Sequence, residues 1–403
     1  MVPGNESSNQ GFSQNVKEEV ALSPRRRSWH PAQESDEVVF AICERFIEQL
    51  GRQFGNNSNE HAASRRGAAA AVAAWAKKNL GREDLTRERI YPLFWEALRR
   101  RYILLSPPRE SRLSRDILKG YGLEAVRDEE SIVVANVRGA EAARNVSAVA
   151  ADVVYRLVRH LGKKKAKVHI ALGAGYSSMM VAKRLAQRIY SDLECPPLVL
   201  HALSAGGFFI DQPYKDPITY FGYFSEAITP VEYVGLFSET LVSREEYERV
   251  RQNPSVRQSF ARASEIDIVI TSFAAAADEH GMLGQFLKKL KEEKALKESE
   301  IEAMVQTGWI GDVQFRPYSS NGPILDECPV QVVTLFEIND LVRLANQPDK
   351  YVVLIAGPCS ECHRSKTDAL LPLIENPHLR LWTHLVMDLD TARDLLVGRG
   401  TPG

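Results

Sequence analysis

The chain has 403 residues, of which 44% are hydrophobic and 26% charged, and its formal net charge at pH 7 is -1. This composition excludes a fibrous or largely disordered protein and supports one or two folded domains. The near-zero net charge excludes a chain-wide affinity for nucleic acid or anionic lipid. Apolar runs such as YVVLIAG are far shorter than the ~20 residues that cross a bilayer, so no membrane segment is expected.

The start of the chain, residues 1–37, is predicted to form a disordered tail. It is rich in Ser, Asn, Gln, Pro and charge and holds too few apolar side chains to build a core. Its basic string SPRRRSWHP is interpreted as a solvated linker, with contact to a phosphate backbone as the alternative. Because no export signal is visible and the five cysteines imply no disulfide framework, a cytoplasmic location is expected.

Residues 38–105 are predicted to form a small helical region. Apolar positions recur at helical spacing in three segments, EVVFAICERFIEQLGRQF, AAAAVAAWAKKNL and RERIYPLFWEALRRRYI. The two adjacent prolines in the LLSPPRESR segment that follows disfavour a helix and indicate a connection or an edge strand.

Beyond this joint, strand-like and helix-like segments alternate. The predicted strands are SIVVANV, KVHIALG, PLVLHAL, IDIVITSF, VQVVTLF and YVVLIAG. The predicted helices are AEAARNVSAVAADVVYRLVRHL, SSMMVAKRLAQRIY, the charged segment GQFLKKLKEEKALKESEIEAMVQ, and KTDALLPLIE. Short apolar strands separated by helices are typical of the α/β class with a doubly wound, mainly parallel sheet covered by helices on both faces.

A glycine turn follows the strand KVHIALG. Gly173 and Gly175 allow close approach of the backbone to a ligand, and Ser177 and Ser178 offer hydroxyl groups. The helix that follows offers unpaired N–H groups to an anion such as phosphate, although an ordinary tight turn is the alternative. The turn lacks both the lysine of a Walker loop and the third glycine of a dinucleotide fingerprint, so neither an ATPase nor a dehydrogenase is favoured.

Several ordered segments from Ser111 onward carry a family resemblance. They are LSRDILKGYGLEAVRD, the glycine turn, LSAGG, NPSVRQSFARASEIDIVITSFA, GWIGDVQFRPYSSNGPI, and YVVLIAGPCSECHRSKTDALLPLI followed by LVMDLDTARDLL. In this order they resemble the sugar-binding domain of the SorC family of bacterial transcriptional regulators, also called the DeoR-type effector-binding domain. The resemblance covers residues 111–397, and its specificity comes from the segments taken together.

The resemblance implies a fold, a ligand and a set of binding residues. The fold is a doubly wound sheet related to ribose-5-phosphate isomerase and glucosamine-6-phosphate deaminase. The implied ligand is a phosphorylated sugar. The resemblance implies a homo-oligomeric regulator that binds this sugar without catalysing a reaction on it, and it implies no cofactor. The implied ligand-binding residues are those of the glycine turn together with Gly206, Gly207, Asp312, Arg316 and Lys366.

Three of these implied residues have alternative interpretations. Asp312 either accepts hydrogen bonds from sugar hydroxyls or caps the turn it follows. Arg316 either pairs with phosphate or faces water. Lys366 matches the family's lysine near the ligand, but the loop AGPCSECHRSK is longer than the family's A-G-G-x-x-K turn and has Pro358 in place of the second glycine. Arg364 therefore competes for the same role.

The longer loop contains a C-x-x-C-H string formed by Cys359, Cys362 and His363. Such a string can attach a c-type haem or contribute zinc ligands, but haem attachment needs export and structural zinc needs a further ligand from elsewhere. The three are therefore interpreted as ordinary loop residues, with a metal or redox role as the alternative, and no metal site is expected. A second acid-and-histidine string, in TSFAAAADEHG, is interpreted as a polar loop end, with proton transfer as the alternative. Its residues are Asp278, Glu279 and His280.

The helical region resembles a degenerate helix-turn-helix. The segment LTRERIYPLFWEALRRRYILL keeps the outline of the family's recognition helix, with Thr86 at the cap. Pro92, however, falls inside the would-be reading helix, and Tyr91 and Trp95 suit packing better than base reading. The arginines at 99–101 can still contact phosphates without reading sequence. A DNA-binding module and a dimerisation or docking module therefore both stay open.

The leading hypothesis is a regulator of SorC type that binds a sugar phosphate and whose DNA binding is weakened or lost. The first alternative is an isomerase- or deaminase-like enzyme acting on a phosphorylated sugar, for which no aligned acidic base is evident. The second is an interaction scaffold without a ligand. The sequence names neither the sugar nor the oligomeric state, because selectivity rests on a few hydrogen-bond partners whose positions depend on the fold.

Overall fold

The computed structural model describes residues 29–54, 61–100, 102–103, 105–123, 130–190, 192–206 and 212–398. The chain divides into two compact units, residues 1–104 and 105–403. Residues 1–28 of the predicted tail and Gly207 of the predicted site lie outside the described residues. Within the described ranges, no helix combines the length and the apolar character needed to cross a membrane.

The described part of the first unit contains three α-helices, as the apolar spacing predicted: α1 (Asp36–Phe54), α2 (His61–Leu80) and α3 (Arg87–Arg99). A short 3-10 helix, Pro31–Gln33, precedes α1. Their apolar faces meet in one core, where Ile42, Val72, Ile90 and Leu93 are fully buried. Pro92 lies inside α3, where it cannot donate a backbone hydrogen bond.

A network of ion pairs closes the first unit and occupies arginines that the sequence offered as phosphate contacts. Arg100 donates to Glu96 at 2.7 Å, to Asp36 at 2.6 Å and to the carbonyl oxygen of Glu34 at 2.9 Å. Arg99 also pairs with Glu96, and these two guanidinium groups lower the pKa of Glu96 to about 2. Arg100 is thus committed to holding the unit together, and Arg101 lies outside the described residues.

The second unit is built from alternating helices and strands. Its helices are α4 (Ser111–Gly120), α5 (Ala142–Gly162), α6 (Tyr176–Ile189), α7 (Pro217–Tyr220), α8 (Arg244–Gln252), α9 (Pro254–Ala261), α10 (Met282–Glu292), α11 (Glu298–Gln306), α12 (Ile338–Ala345), α13 (Thr367–Glu375) and α14 (Leu389–Val397). Its strands are β1 (Ile132–Ala135), β2 (Val168–Leu172), β3 (Leu198–Ala202), β4 (Val231–Val234), β5 (Leu241–Val242), β6 (Ile268–Ala275), β7 (Gly311–Val313), β8 (Arg316–Ser319), β9 (Gly322–Pro323), β10 (Gln331–Val332), β11 (Tyr351–Ala356) and β12 (His384–Asp388).

The main sheet is doubly wound and mostly parallel, as predicted. Its strands run in the order β1-β12-β11-β6-β2-β3-β4, and all of these neighbours pair in parallel. The short strands β7, β8 and β9 form an antiparallel meander that extends from β6. From β2 the chain moves to β3 on one side, whereas from β6 it moves to β11 on the other. The order therefore reverses between β2 and β6.

The strands of the sheet are buried on both faces, which explains why they read as continuous apolar runs. Along β1, Val134 belongs to the core beneath α4, α12, α13 and α14, while its neighbour Val133 belongs to the core beneath α5 and α6. The same alternation holds for Val352 and Val353 in β11, because successive side chains of a strand point to opposite faces.

Two predicted elements were wrong in detail. The charged segment after β6 is two helices rather than one, because Lys294 adopts a left-handed backbone (φ 58°) that ends α10. The chain restarts as α11, where the Glu300 carboxylate accepts the backbone N–H of Lys297 at 2.9 Å. VQVVTLF contributes only β10, which pairs antiparallel with β5 in a separate two-stranded sheet instead of joining the parallel one.

Candidate functional site

A cleft that is partly open to solvent lies at the carboxyl ends of β2 and β6. In open α/β sheets, this point of reversed strand order is where loops separate and ligands bind. The walls of the cleft come from the turn between β2 and α6, the loop after β6, the β7–β8 hairpin and the loop between β11 and α13. Segments far apart in the sequence therefore share one concave surface.

The glycine turn forms the start of α6 and one wall of the cleft. Gly175 is the residue before the helix and has a φ of 104°, a conformation that other residues rarely adopt. Its N–H donates to the carbonyl oxygen of Lys215 at 2.9 Å, and its own carbonyl oxygen accepts the Tyr220 hydroxyl at 3.0 Å. Gly175 has no side chain that could cap α6, and no other described side chain accepts a hydrogen bond from the first N–H groups of the helix, which leaves them to an anion.

Gly173 has a different, spatial role. A Cβ atom at this position would lie 2.9 Å from the carbonyl oxygen of Ile270 and would collide with the Gln314 amide. Gln314 itself lines the cleft and donates to the Thr271 hydroxyl at 2.5 Å. Gly173 therefore lets the hairpin that carries Gln314 pack directly against the glycine turn.

Two lysines present positive charge to the cleft. The Lys215 side chain is only 8% exposed, and its Nζ atom lies 3.6 Å from a carboxylate oxygen of Glu361. The Lys366 Nζ atom lies 3.7 Å from Oδ2 of Asp278. The two cations reach the cleft from different loops, since Lys215 follows β3 and Lys366 precedes α13. Sequence reasoning named Lys366 and missed Lys215.

Asp312 lies on β7 and points its carboxyl group into the same cleft. Burial raises its pKa to about 7, although the positive charge of Lys366 acts in the opposite direction. The hairpin that follows turns through Gln314 and Phe315, which both have left-handed backbones with φ of 51° and 62°. Two consecutive non-glycine residues in this conformation are uncommon, and such strain is concentrated at functional sites.

The structure brings Gly175, Ser177, Asp312 and Lys366 together in this cleft. Four other described residues that the resemblance implied are not among the residues that line it. They are Gly173, whose role is given above, and three more: Ser178, Gly206 and Arg316.

Each of these three has a structural setting of its own. Ser178 is fully buried in α6, and its hydroxyl has no hydrogen-bond partner among the described residues. A side chain on Gly206 would collide with the carboxylate of Asp216. Arg316 is buried and donates to Glu337 at 2.5 and 2.7 Å, so its charge is already paired inside the protein.

A group of potential metal ligands adjoins the cleft. Asp278 and His280 come from the loop after β6, and Cys359 and Cys362 come from the loop after β11. One ligand atom from each residue lies within 4.8 Å of all the others. The sequence offered these as two separate strings, and only the pairing of β6 with β11 brings them together.

Neither a protein-family model nor a curated protein matches the sequence. Similar solved structures exist. The full-length sorbitol operon regulator SorC from Klebsiella pneumoniae has a TM-score of 0.56 and 16% identity, covering 90% of this chain and 100% of that one. A probable sor operon regulator from Shigella flexneri has a TM-score of 0.53 and 14% identity, covering 71% and 98%. A DeoR family transcriptional regulator from Listeria monocytogenes has a TM-score of 0.50 and 15% identity, covering 70% and 98%.

These likenesses define the class of fold. The second unit is an α/β domain with a cleft at the switch point of a doubly wound sheet. Its fold is that of SorC- and DeoR-type regulators, so the resemblance drawn from the ordered segments is confirmed at the level of the fold.

Proposed function

We propose that the second unit binds a phosphorylated sugar in the switch-point cleft and is the effector-binding domain of a SorC-type transcriptional regulator. The observation that supports this proposal is the convergence of an uncapped helix N-terminus, two lysines and a buried carboxyl group on one cleft. The SorC fold of the unit agrees with it, since that fold occurs in a sorbitol operon regulator.

The two ends of the cleft suit the two halves of such a ligand. The phosphate group would accept hydrogen bonds from the first N–H groups of α6 and from the hydroxyl of Ser177, with Lys215 supplying charge. The sugar hydroxyls would donate to Asp312 and to Oε1 of Gln314, a buried acceptor without a hydrogen-bond partner among the described residues. An acceptor buried without a partner costs about 1–3 kcal/mol, and a bound hydroxyl removes that cost.

Calorimetric titration of the full chain with a panel of sugar phosphates and the matching free sugars tests the proposal. Binding should require the phosphate, and Gly175→Ala should weaken it because the new side chain disfavours the φ of 104° that shapes the turn. Gly222→Ala is the matched control, since a Cβ there meets nothing within 4 Å. Equal affinity of both variants, or binding of no sugar phosphate by the wild type, would contradict an anion site at the glycine turn.

A regulatory role also requires contact between the helical unit and DNA. Arg99 is 66% exposed at its side chain, but it is paired with Glu96, and Arg100 is held inside the unit. We therefore expect weak binding to the DNA upstream of the chain's own gene, measured by electrophoretic shift with and without the sugar phosphate. Light scattering under the same two conditions tests the homo-oligomer. If the chain binds a sugar phosphate but causes no DNA shift, the proposed effector binding stands and the proposed DNA binding is refuted.

One observation favours a second candidate, an enzyme that acts on a sugar phosphate. A buried carboxyl group whose pKa is about 7 suits general acid–base catalysis near neutral pH, and Asp312 is such a group in a cleft. Incubation with the sugar phosphates that bind, followed by nuclear magnetic resonance, separates the two. Turnover that disappears in Asp312→Asn would establish the enzyme, whereas binding without turnover supports the sensor.

A further inference from the structure

Four side chains of three chemical types meet where two loops of the second unit touch. They form the loop cluster, which consists of Asp278, His280, Cys359 and Cys362. The Nδ1 atom of His280 lies 3.4 Å from Oδ1 of Asp278, and the Cys362 Sγ atom lies 4.0 Å from the same oxygen. Zn²⁺ holds sulfur at about 2.3 Å and nitrogen or oxygen at about 2.0–2.2 Å, so tetrahedral ligands lie roughly 3–4 Å apart. These two distances match this spacing, and all four ligand atoms lie within 4.8 Å of one another.

The geometry around His280 suits metal ligation. Its Nδ1 atom is buried, lies 3.4 Å from Oδ1 of Asp278 and makes no well-formed hydrogen bond among the described residues. A ring nitrogen buried beside a carboxylate oxygen and two sulfur atoms lies where one metal ion can bind all of them. The second oxygen of Asp278 faces Lys366 at 3.7 Å, which fixes the carboxylate with Oδ1 toward the cluster.

The backbone holds the C-x-x-C turn in a compact loop. The N–H of Cys359 donates to the carbonyl oxygen of Arg364 at 3.0 Å, and the N–H of His363 donates to the carbonyl oxygen of Cys359 at 3.0 Å. His363 has a left-handed backbone with a φ of 60°. The turn thereby presents Cys359 and Cys362 together to Asp278 and His280.

We propose that the loop cluster binds one zinc ion. Two thiolates, an imidazole and one carboxylate form a set that suits zinc and is too soft for magnesium or calcium. The ion would tie the loop after β6 to the loop after β11. Because Asp278, His280 and Cys359 also line the cleft, the metal would hold one wall of the effector site in place.

The ligands come from two parts of the chain that neither string reveals alone. The histidine within the C-x-x-C-H string, His363, is exposed and lies outside the cluster, whereas His280 supplies the imidazole. The variant His363→Ala is therefore a matched control for His280→Ala. For the cysteines, Cys195→Ser is the control for Cys359→Ser and Cys362→Ser, because Cys195 is a free cysteine outside the cluster and is buried as Cys359 is.

Competition between the full chain and a chromophoric chelator for added zinc chloride tests the proposal. The protein is first stripped of metal and kept reduced. We expect one zinc ion per chain and a loss of affinity of at least about tenfold in each cluster variant, with no change in either control. Cobalt chloride added to the wild type should give the absorption of thiolate-bound cobalt, a readout that does not depend on any variant folding.

The proposal is overturned if the reduced wild type binds no zinc, or if the cluster variants bind it as well as the controls do. It is also overturned if thiol counting shows that Cys359 and Cys362 form a disulfide and that the reduced pair binds no metal. Circular dichroism of each variant separates lost ligation from lost folding. Sugar-phosphate binding is measured separately, so failure of the metal site and failure of the proposed effector function remain distinguishable.

Discussion

Replacing Lys215 with methionine removes one positive charge from the cleft and leaves most of the aliphatic stem in place. The side chain is 8% exposed, so solvent screens its charge little. A hydrogen bond to a charged group contributes roughly 1.5–3 kcal/mol, which corresponds to an affinity loss of roughly 10- to 150-fold. We expect the upper part of that range, because the phosphate would then face a buried methyl group.

The same structure predicts that folding is little affected. The partner of Lys215 is Glu361, whose side chain is 49% exposed at a distance of 3.6 Å, so the carboxylate left behind is solvated. Pairs of this kind contribute about 0–1 kcal/mol. Urea unfolding should therefore show nearly unchanged stability, while calorimetry shows weakened sugar-phosphate binding.

The matched control is Lys164→Met, which breaks the exposed pair between Lys164 and Asp349 on the surface. It removes the same charge from the protein without touching the cleft. An affinity of Lys215→Met within twofold of that of the control would refute the assignment of Lys215 to the phosphate. A large loss of unfolding free energy in Lys215→Met would refute the view that its charge serves the ligand rather than the fold.

Three further predictions concern residues outside the cleft. Burial, followed by the neighbouring His169, lowers the pKa of His201 to about 3 in the folded state. The pKa of a histidine in the unfolded chain is about 6.5, so the neutral His201 side chain contributes fully to the free energy of unfolding above that pH. As the pH falls below about 6.5 this contribution declines, by about 2 kcal/mol at about pH 5. The free energy of unfolding of His201→Gln, measured in urea, should therefore depend less on pH than that of the wild type. Ser178→Ala removes a buried hydroxyl without a partner among the described residues, so thermal unfolding should show a gain of about 1 kcal/mol, and a loss would contradict this. Arg316→Leu should lower the free energy of unfolding by roughly 1–3 kcal/mol, because it breaks the ion pair with Glu337. Sugar-phosphate affinity should stay unchanged, and a reduced affinity would show that Arg316 contributes to the binding site.

Apolar patterning was enough to predict the sheet and its class. The runs that became β2, β6 and β11 are continuous because both faces of these strands are covered by helices. The patterning failed at two places. Lys294 ends a helix through a left-handed backbone that the apolar pattern does not show. VQVVTLF is apolar because Val332, Val333 and Leu335 are buried in two different cores, although its only strand is the short β10.

The sequence alone determined the class of the sheet and the shape of the glycine turn, because local spacing and the freedom of glycine act within a few residues. Only the tertiary structure decided which distant side chains meet. Lys215 lines the cleft from a loop after β3, whereas Arg316 pairs with Glu337 and does not line it. His280 lies next to Cys359 because β6 and β11 are neighbouring strands. Strand order is set by long-range packing, and no short window of residues contains that information.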